Sequence, residues 1–169
     1  MFSPGEYVVY GASGICRIDG VEKRSFDGIH ENEYFKLTPC SSVSSTCYIP
    51  ADTIDRKVRR LLTAEEVCAV IDRIPCIETV WDPDNTRRRE LFGEMYKSGD
   101  CGRILCLIKS VYEQQQKRSA AGKKLPSAEE HILRSAENIL NSEFAAALGI
   151  KPEEVAGFIS DRLNSQQIQ

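Results

Sequence analysis

Two hydrophobic periods divide the chain near residue 60. Before that point apolar residues sit in short alternating or β-branched runs; after it they recur every three to four residues. The first stretch opens with Tyr7-Val8-Val9-Tyr10, passes through Gly11-Ala12-Ser13-Gly14, and resumes with Ile15, Ile18 and Val21. Strand formers on either side of turn residues predict an opening hairpin over 5–10 and 14–24, its second strand able to bend at Gly20. Asp27-Gly28 predicts a tight second hairpin turn. Residues 33–37 read as a third strand, and 46–50 as a fourth that ends at Pro50. Residues 51–62, with Arg56, Lys57, Arg59 and Arg60 close together, read as a solvated connector. Four or five short, curved strands suggest an SH3-like or Tudor-like barrel, whose open edges can accept a partner strand.

The second stretch is helical. Thr63-Ala64-Glu65-Glu66 is a capping box opening a helix that runs to Arg73 and stops at Pro75, with Val67, Val70, Ile71 and Ile74 on its apolar face. A connector over 77–83 carries Trp81, the only tryptophan. Asp84 caps a helix over 85–97 with Leu91, Phe92 and Met95 turned inward. Ser98-Gly99-Asp100 ends that helix and caps the next, over 101–120, which buries Ile104, Leu105, Leu107, Ile108, Val111 and Tyr112. After the basic turn Gly122-Lys123-Lys124, Ser127-Ala128-Glu129-Glu130 reads as a second capping box, and the helix it opens ends at Gly149. Pro152 begins a last helix with Val155, Phe158, Ile159 and Leu163 inward, and a tail over 164–169 that frays. The expected fold class is α+β: an N-terminal SH3/Tudor-like β-barrel over 1–60, then a compact helical bundle over 61–169.

Composition changes this picture little. The chain has 169 residues and a net charge of −3, so bulk charge gives no sign of nucleic acid. Its distribution does: from Arg87 to Lys124 there are ten Lys and Arg against four acids. Seven cysteines in no C-x-x-C spacing read as reduced thiols of a cytoplasmic protein, and no apolar run is long enough for a membrane span. Catalysis is not expected. His30 and His131 lie in no nucleophile or metal-ligand pattern, and the paired carboxylates are explained by capping and the helix dipole. A thiol-dependent enzyme using Cys101, at a helix N-terminus, is the reading dropped first. No cofactor and no metal site is predicted, which leaves a binding protein.

The order of motifs says more. FSPGEYVVYGASGICRIDGVEKR, EYFKL and YIPAD, then RRRELFGEMYKSGD, ILCLIKSVYEQQQKRSAAGKKLPSAEEHIL and AENILNSEFAAALGI, together resemble the CarD family of bacterial transcription regulators. The likeness runs to about Ile150. It is closest to members with both modules, not to the DNA-translocating repair factor that shares only the β module. The resemblance implies an RNA polymerase accessory factor. Its Tudor-like domain docks on the polymerase β subunit, partly by edge-strand pairing, and its helical module contacts promoter DNA at the upstream edge of the bubble. By position, Arg24 and Tyr48 fall on the polymerase-facing surface, and Arg87, Arg88 and Arg89 where the family meets phosphate. Many members carry a wedge tryptophan just before the basic pair. Here Asn85 stands there and Trp81 lies four residues earlier, so Trp81 reads either as the wedge or as a core residue. Glu129-Glu130, acidic where some relatives are basic, is expected to weaken DNA contact.

The implied function is a monomeric regulator binding polymerase and promoter DNA with little sequence preference, and stabilising the open complex. The alternative is a protein-interaction adaptor that binds polymerase by the β domain, with a basic helical face that is only solvated surface.

Overall fold

The computed structural model describes residues 1–168 and divides into two units, Met1–Leu61 and a second beginning at Leu62. The first is a curled, fully antiparallel five-stranded half-barrel. Its strands are β1 (Tyr7–Val9), β2 (Ile15–Arg24), β3 (Asn32–Pro39), β4 (Cys47–Pro50) and β5 (Arg59–Arg60), in the order β4-β3-β2-β1-β5. A short helix, α1 (Ile54–Lys57), precedes β5. The interior is built from Val8, Cys16, Ile18, Phe35, Leu37, Ile49, Ile54 and Val58.

Two expectations for this unit are corrected. The basic stretch after Pro50 is no solvated connector: Ile54 and Val58 are buried, and Arg59 and Arg60 pair with Val9 and Val8 to close the sheet. Two apolar residues four apart in a run of charges reach the core on one helical turn. Asp27-Gly28 does not make a two-residue hairpin. The strands stop at Arg24 and resume at Asn32, and the intervening loop folds around the Asp27 carboxylate, which accepts from Ile29 N (2.9 Å), His30 N (2.8 Å) and Ser25 Oγ (3.1 Å). Those bonds, His30 N first, hold Asp27 well below the usual carboxylate range. The bend in β2 is a bulge: Ile18 pairs with Leu37 and Gly20 with Lys36, leaving Asp19 without a cross-strand partner. Thr38 Oγ1 (2.5 Å) and Arg17 Nε (2.9 Å) donate to the Asp19 carboxylate and hold the bulge.

The second unit comprises α2 (Ala64–Asp72), α3 (Asn85–Lys97), α4 (Cys101–Ala120), α5 (Ser127–Leu148) and α6 (Val155–Gln167). Thr63 and Glu66 form the reciprocal capping box, and Asp84 and Asp100 cap α3 and α4 through Arg87 N and Arg103 N. The core gathers Val67, Ile71, Phe92, Ile104, Leu107, Val111, Leu140 and Phe144 around Ala136. Partly buried polar bonds register the helices. Leu62 N donates to Glu143 Oε1 (3.1 Å), and Arg162 reaches Asp72 from α6 at 2.6 and 2.9 Å.

Corrections here are local. Ser127 is already helical and makes no cap; Pro126 precedes α5, and Glu129 turns inward instead of serving the helix end. Tyr112 is 43% exposed, because its hydroxyl donates to Glu137 at the surface of α5. The tail expected to fray continues α6 to Gln167, with Gln166 bonded to Asp72; residue 169 lies outside the described residues. No helix among the described residues is long and apolar enough to cross a membrane, and all seven cysteines are free thiols.

Candidate functional site

The β unit presents one open face on β2, β3 and β4, and the bulge at Asp19 creates it. Cys16 and Ile18 point into the barrel, so an unbroken strand would send Arg24 inward as well. One extra residue reverses the alternation, and Glu22 and Arg24 emerge opposite Tyr34 and Asn32 on the outer side. Tyr48, opposite Lys36, joins them from β4. The two residues singled out in the sequence therefore meet: the Arg24 guanidinium lies 4.4 Å from the centre of the Tyr48 ring. Arg24 Nε also donates to Glu22 Oε2 at 3.0 Å, and Lys36 Nζ stands 3.7 Å from the other Glu22 oxygen. Phe26 packs edge-on against both Tyr34 (4.9 Å) and Tyr48 (5.8 Å), yet stays exposed. Phe26 and Tyr34 were missed in the sequence. The alternation of Tyr34 and Lys36 against Phe35 and Leu37 marks Tyr34 as outward; nothing local marks Phe26.

In the helical unit, the connector bearing Trp81 is strapped along α4. Lys109 Nζ donates to the carbonyls of Ile74 (3.0 Å), Pro75 (3.2 Å) and Ile77 (2.8 Å), and Val80 N donates to Ser110 Oγ (3.0 Å). Lys109, counted in the basic excess, is thus consumed inside the unit.

Of the three arginines opening α3, Arg87 and Arg89 are exposed and Arg88 is not. Arg87 Nε lies 3.2 Å from Asp82 Oδ2 in a solvated pair. Arg88 is 3% exposed and every guanidinium nitrogen is engaged: Nε with Glu129 Oε1 (2.8 Å), Nη1 with the Asp82 carbonyl (2.9 Å) and Nη2 with Asn85 Oδ1 (2.7 Å). Nη2 also reaches Glu129 Oε1 at 2.7 Å, and Glu129 is 2% exposed. The expectation that Arg88 faces phosphate is therefore corrected, as is the view of Glu129 as an acidic surface residue. The two neutralise each other where neither could remain charged alone. Trp81 packs against the core of the unit and keeps part of its surface open. It is half-buried, its ring 5.9 Å from that of Phe92 and 4.4 Å from the Arg88 guanidinium carbon. Between the start of α5 and α3, a groove of about 390 Å³ is lined by Arg89, Tyr96, His131, Ile132 and Ser135, together with Phe92 and Glu129.

Cys101 is buried and its thiol donates to Glu143 Oε2 at 3.4 Å. Among the described residues no group of three or more His, Cys, Asp or Glu is placed to hold a metal ion.

A cationic, aromatic sheet face in one unit and an arginine-bearing helix start beside a half-exposed tryptophan in the other define a two-module binding protein. Residues 2–62 match the family model of the CarD-like/TRCF RID domain, and residues 75–160 that of the CarD C-terminal domain. Comparison with curated proteins finds no match. The chain belongs to the CarD family, non-enzymatic transcription factors that interact with RNA polymerase, and its first unit is the Tudor-like polymerase-interacting domain.

Proposed function

We propose that this protein binds the polymerase β subunit through the outer face of β2–β4 and contacts promoter DNA at the upstream edge of the bubble, stabilising the open complex. The observation that carries the proposal is the outward cluster of Arg24, Tyr48, Phe26 and Tyr34 on the unit that matches the polymerase-interacting domain. A stacked arginine beside exposed aromatic rings suits an apolar surface bearing a carboxylate, and such residues dominate interface energetics. The free edge of β4 beside it suits strand addition. In the helical unit, Arg87 and Arg89 meet phosphates and Trp81 lies against the groove at the bubble edge. Arg87 exchanges Asp82 for phosphate as it binds. Contacts of this kind position a protein without reading sequence, so binding weakens steeply with salt. One copy acts per polymerase, with cytoplasmic location following from that partner.

The engagement of Arg88 and Lys109 within the fold favours a second reading, an adaptor that docks on polymerase with no functional DNA contact. Two measurements separate them. Co-purification with a β-subunit lobe fragment is expected for wild type and lost in Arg24→Glu; no binding by wild type would sink the docking claim. Open-complex lifetime on a promoter is expected to shorten when Arg87 and Arg89 are both replaced by alanine. An unchanged lifetime with retained polymerase binding would establish the adaptor.

A further inference from the structure

The Arg88–Glu129 pair lies beside the proposed DNA contact without being able to touch phosphate. We infer that Arg88 is the positioning residue for Trp81: with Glu129 it forms a clasp that holds the indole against α3 at a set angle. The consequence at the promoter rests on the DNA-contact reading above; the clasp itself does not.

Three separate segments meet on this one guanidinium. Glu129 comes from α5, Asn85 from the first residue of α3, and Asp82 and Trp81 from the connector. The straps to α4 hold the connector backbone only as far as Val80. From Trp81 onward Arg88 takes over, through the Asp82 carbonyl and the stacked ring. Among the described residues the aromatic ring packed on Trp81 is that of Phe92, which meets it edge-on at 62°. Without the guanidinium the indole would lose the group stacked on its face, and the ring would be freer to turn about its own side-chain bonds.

The chemistry requires arginine specifically. A pair serving only to fill the interior could be replaced by apolar side chains at little cost. A planar group that forks to a carboxylate in its plane while stacking an indole on its face has no lysine equivalent. Glu129 is subordinate to this arrangement. Both of its bonds to Arg88 run through Oε1, and Oε2 is buried with no hydrogen-bond partner among the described residues.

Trp81 is the chain's only tryptophan, so its fluorescence reports on the clasp without labelling. The test uses full-length protein as wild type, Arg88→Lys and Glu129→Gln, each checked for far-ultraviolet circular dichroism and cooperative unfolding. Both variants are expected to show red-shifted emission and greater acrylamide quenching. With polymerase and promoter, both are expected to shorten the open-complex lifetime toward that of Trp81→Ala. Glu129→Gln keeps the side-chain shape and carries the test if Arg88→Lys does not fold. Unchanged emission and quenching in a folded variant would overturn the clasp. Altered fluorescence with a wild-type lifetime, where Trp81→Ala does shorten it, would overturn its role at the promoter. A wild-type lifetime in Trp81→Ala would overturn the DNA-contact reading of that residue, while the fluorescence still decides the clasp.

Discussion

Arg87 and Arg88 show how far neighbours of one chemical type can diverge. The first is solvated and loosely paired; the second is buried against Glu129. Removing one partner of a buried pair leaves an uncompensated charge, so Glu129→Ala is expected to destabilise the helical unit by about 3–5 kcal/mol. Arg87→Ala, at the surface, should cost less than about 1 kcal/mol. Urea unfolding of the two variants checks the contrast. Comparable losses would show that Glu129 is not paired as described. The thiols divide in the same way. Burial, with Cys47 and Cys40 nearby, pushes the Cys16 thiol up to about 12, and Cys101 is buried against Glu143. Cys40 and Cys76 are exposed. Labelling with a thiol reagent at neutral pH should therefore modify Cys40 and Cys76 first, and Cys16 only on unfolding, read by mass spectrometry of the peptides. Fast modification of Cys101 would revive a thiol chemistry that its burial argues against.

Between elements, the docking of α6 on α2 depends on a carboxylate. Arg162 holds Asp72 below the usual carboxylate range, with Gln166 adding a further bond. A group with a depressed folded pKa stabilises above its unfolded value and loses that contribution as pH falls through the folded one. Anchoring of α6 should thus be intact at neutral pH and weaken below the ordinary carboxylate range. Hydrogen exchange across α6 as a function of pH should show the loss, and Asp72→Asn should remove the pH dependence. A variant that kept it would place the acid-sensitive group elsewhere. The helix ends were legible beforehand, because Thr63, Asp84 and Asp100 cap through bonds spanning three residues. The false cap at Ser127 carries the same four-residue pattern. It fails because the helix begins one residue earlier than the pattern asks: Pro126 takes the cap position and Ser127 already lies in the first turn.

At the scale of the whole chain, each unit has its own buried cluster, and the bond from Leu62 N to Glu143 seals the start of the second within itself. A fragment beginning at Leu62 is expected to keep its helical circular dichroism and unfold cooperatively without the β unit. Loss of cooperativity in that fragment would mean that the first unit supplies part of its stability. Under the proposed function, separate cores let one unit hold polymerase while the other meets DNA. Tethering then raises the effective concentration of the weaker contact, so measured DNA affinity should depend on whether polymerase is present.

The two hydrophobic periods, the caps at Thr63, Asp84 and Asp100, and the order of motifs were enough to place a small β module before a helical one. Each of those signals is local, carried by residues within a turn or a strand of one another. What the tertiary structure decided depends on distant partners. Arg88 is removed from the surface by a residue 41 positions away, and Arg59 and Arg60 become a strand only because β1 lies beside them. Arg24 faces outward because one unpaired residue in β2 reverses the alternation after it. Periodicity names the face on which a side chain lies. It cannot state what packs there, and for a charged group that partner decides between solvent, interior and interface.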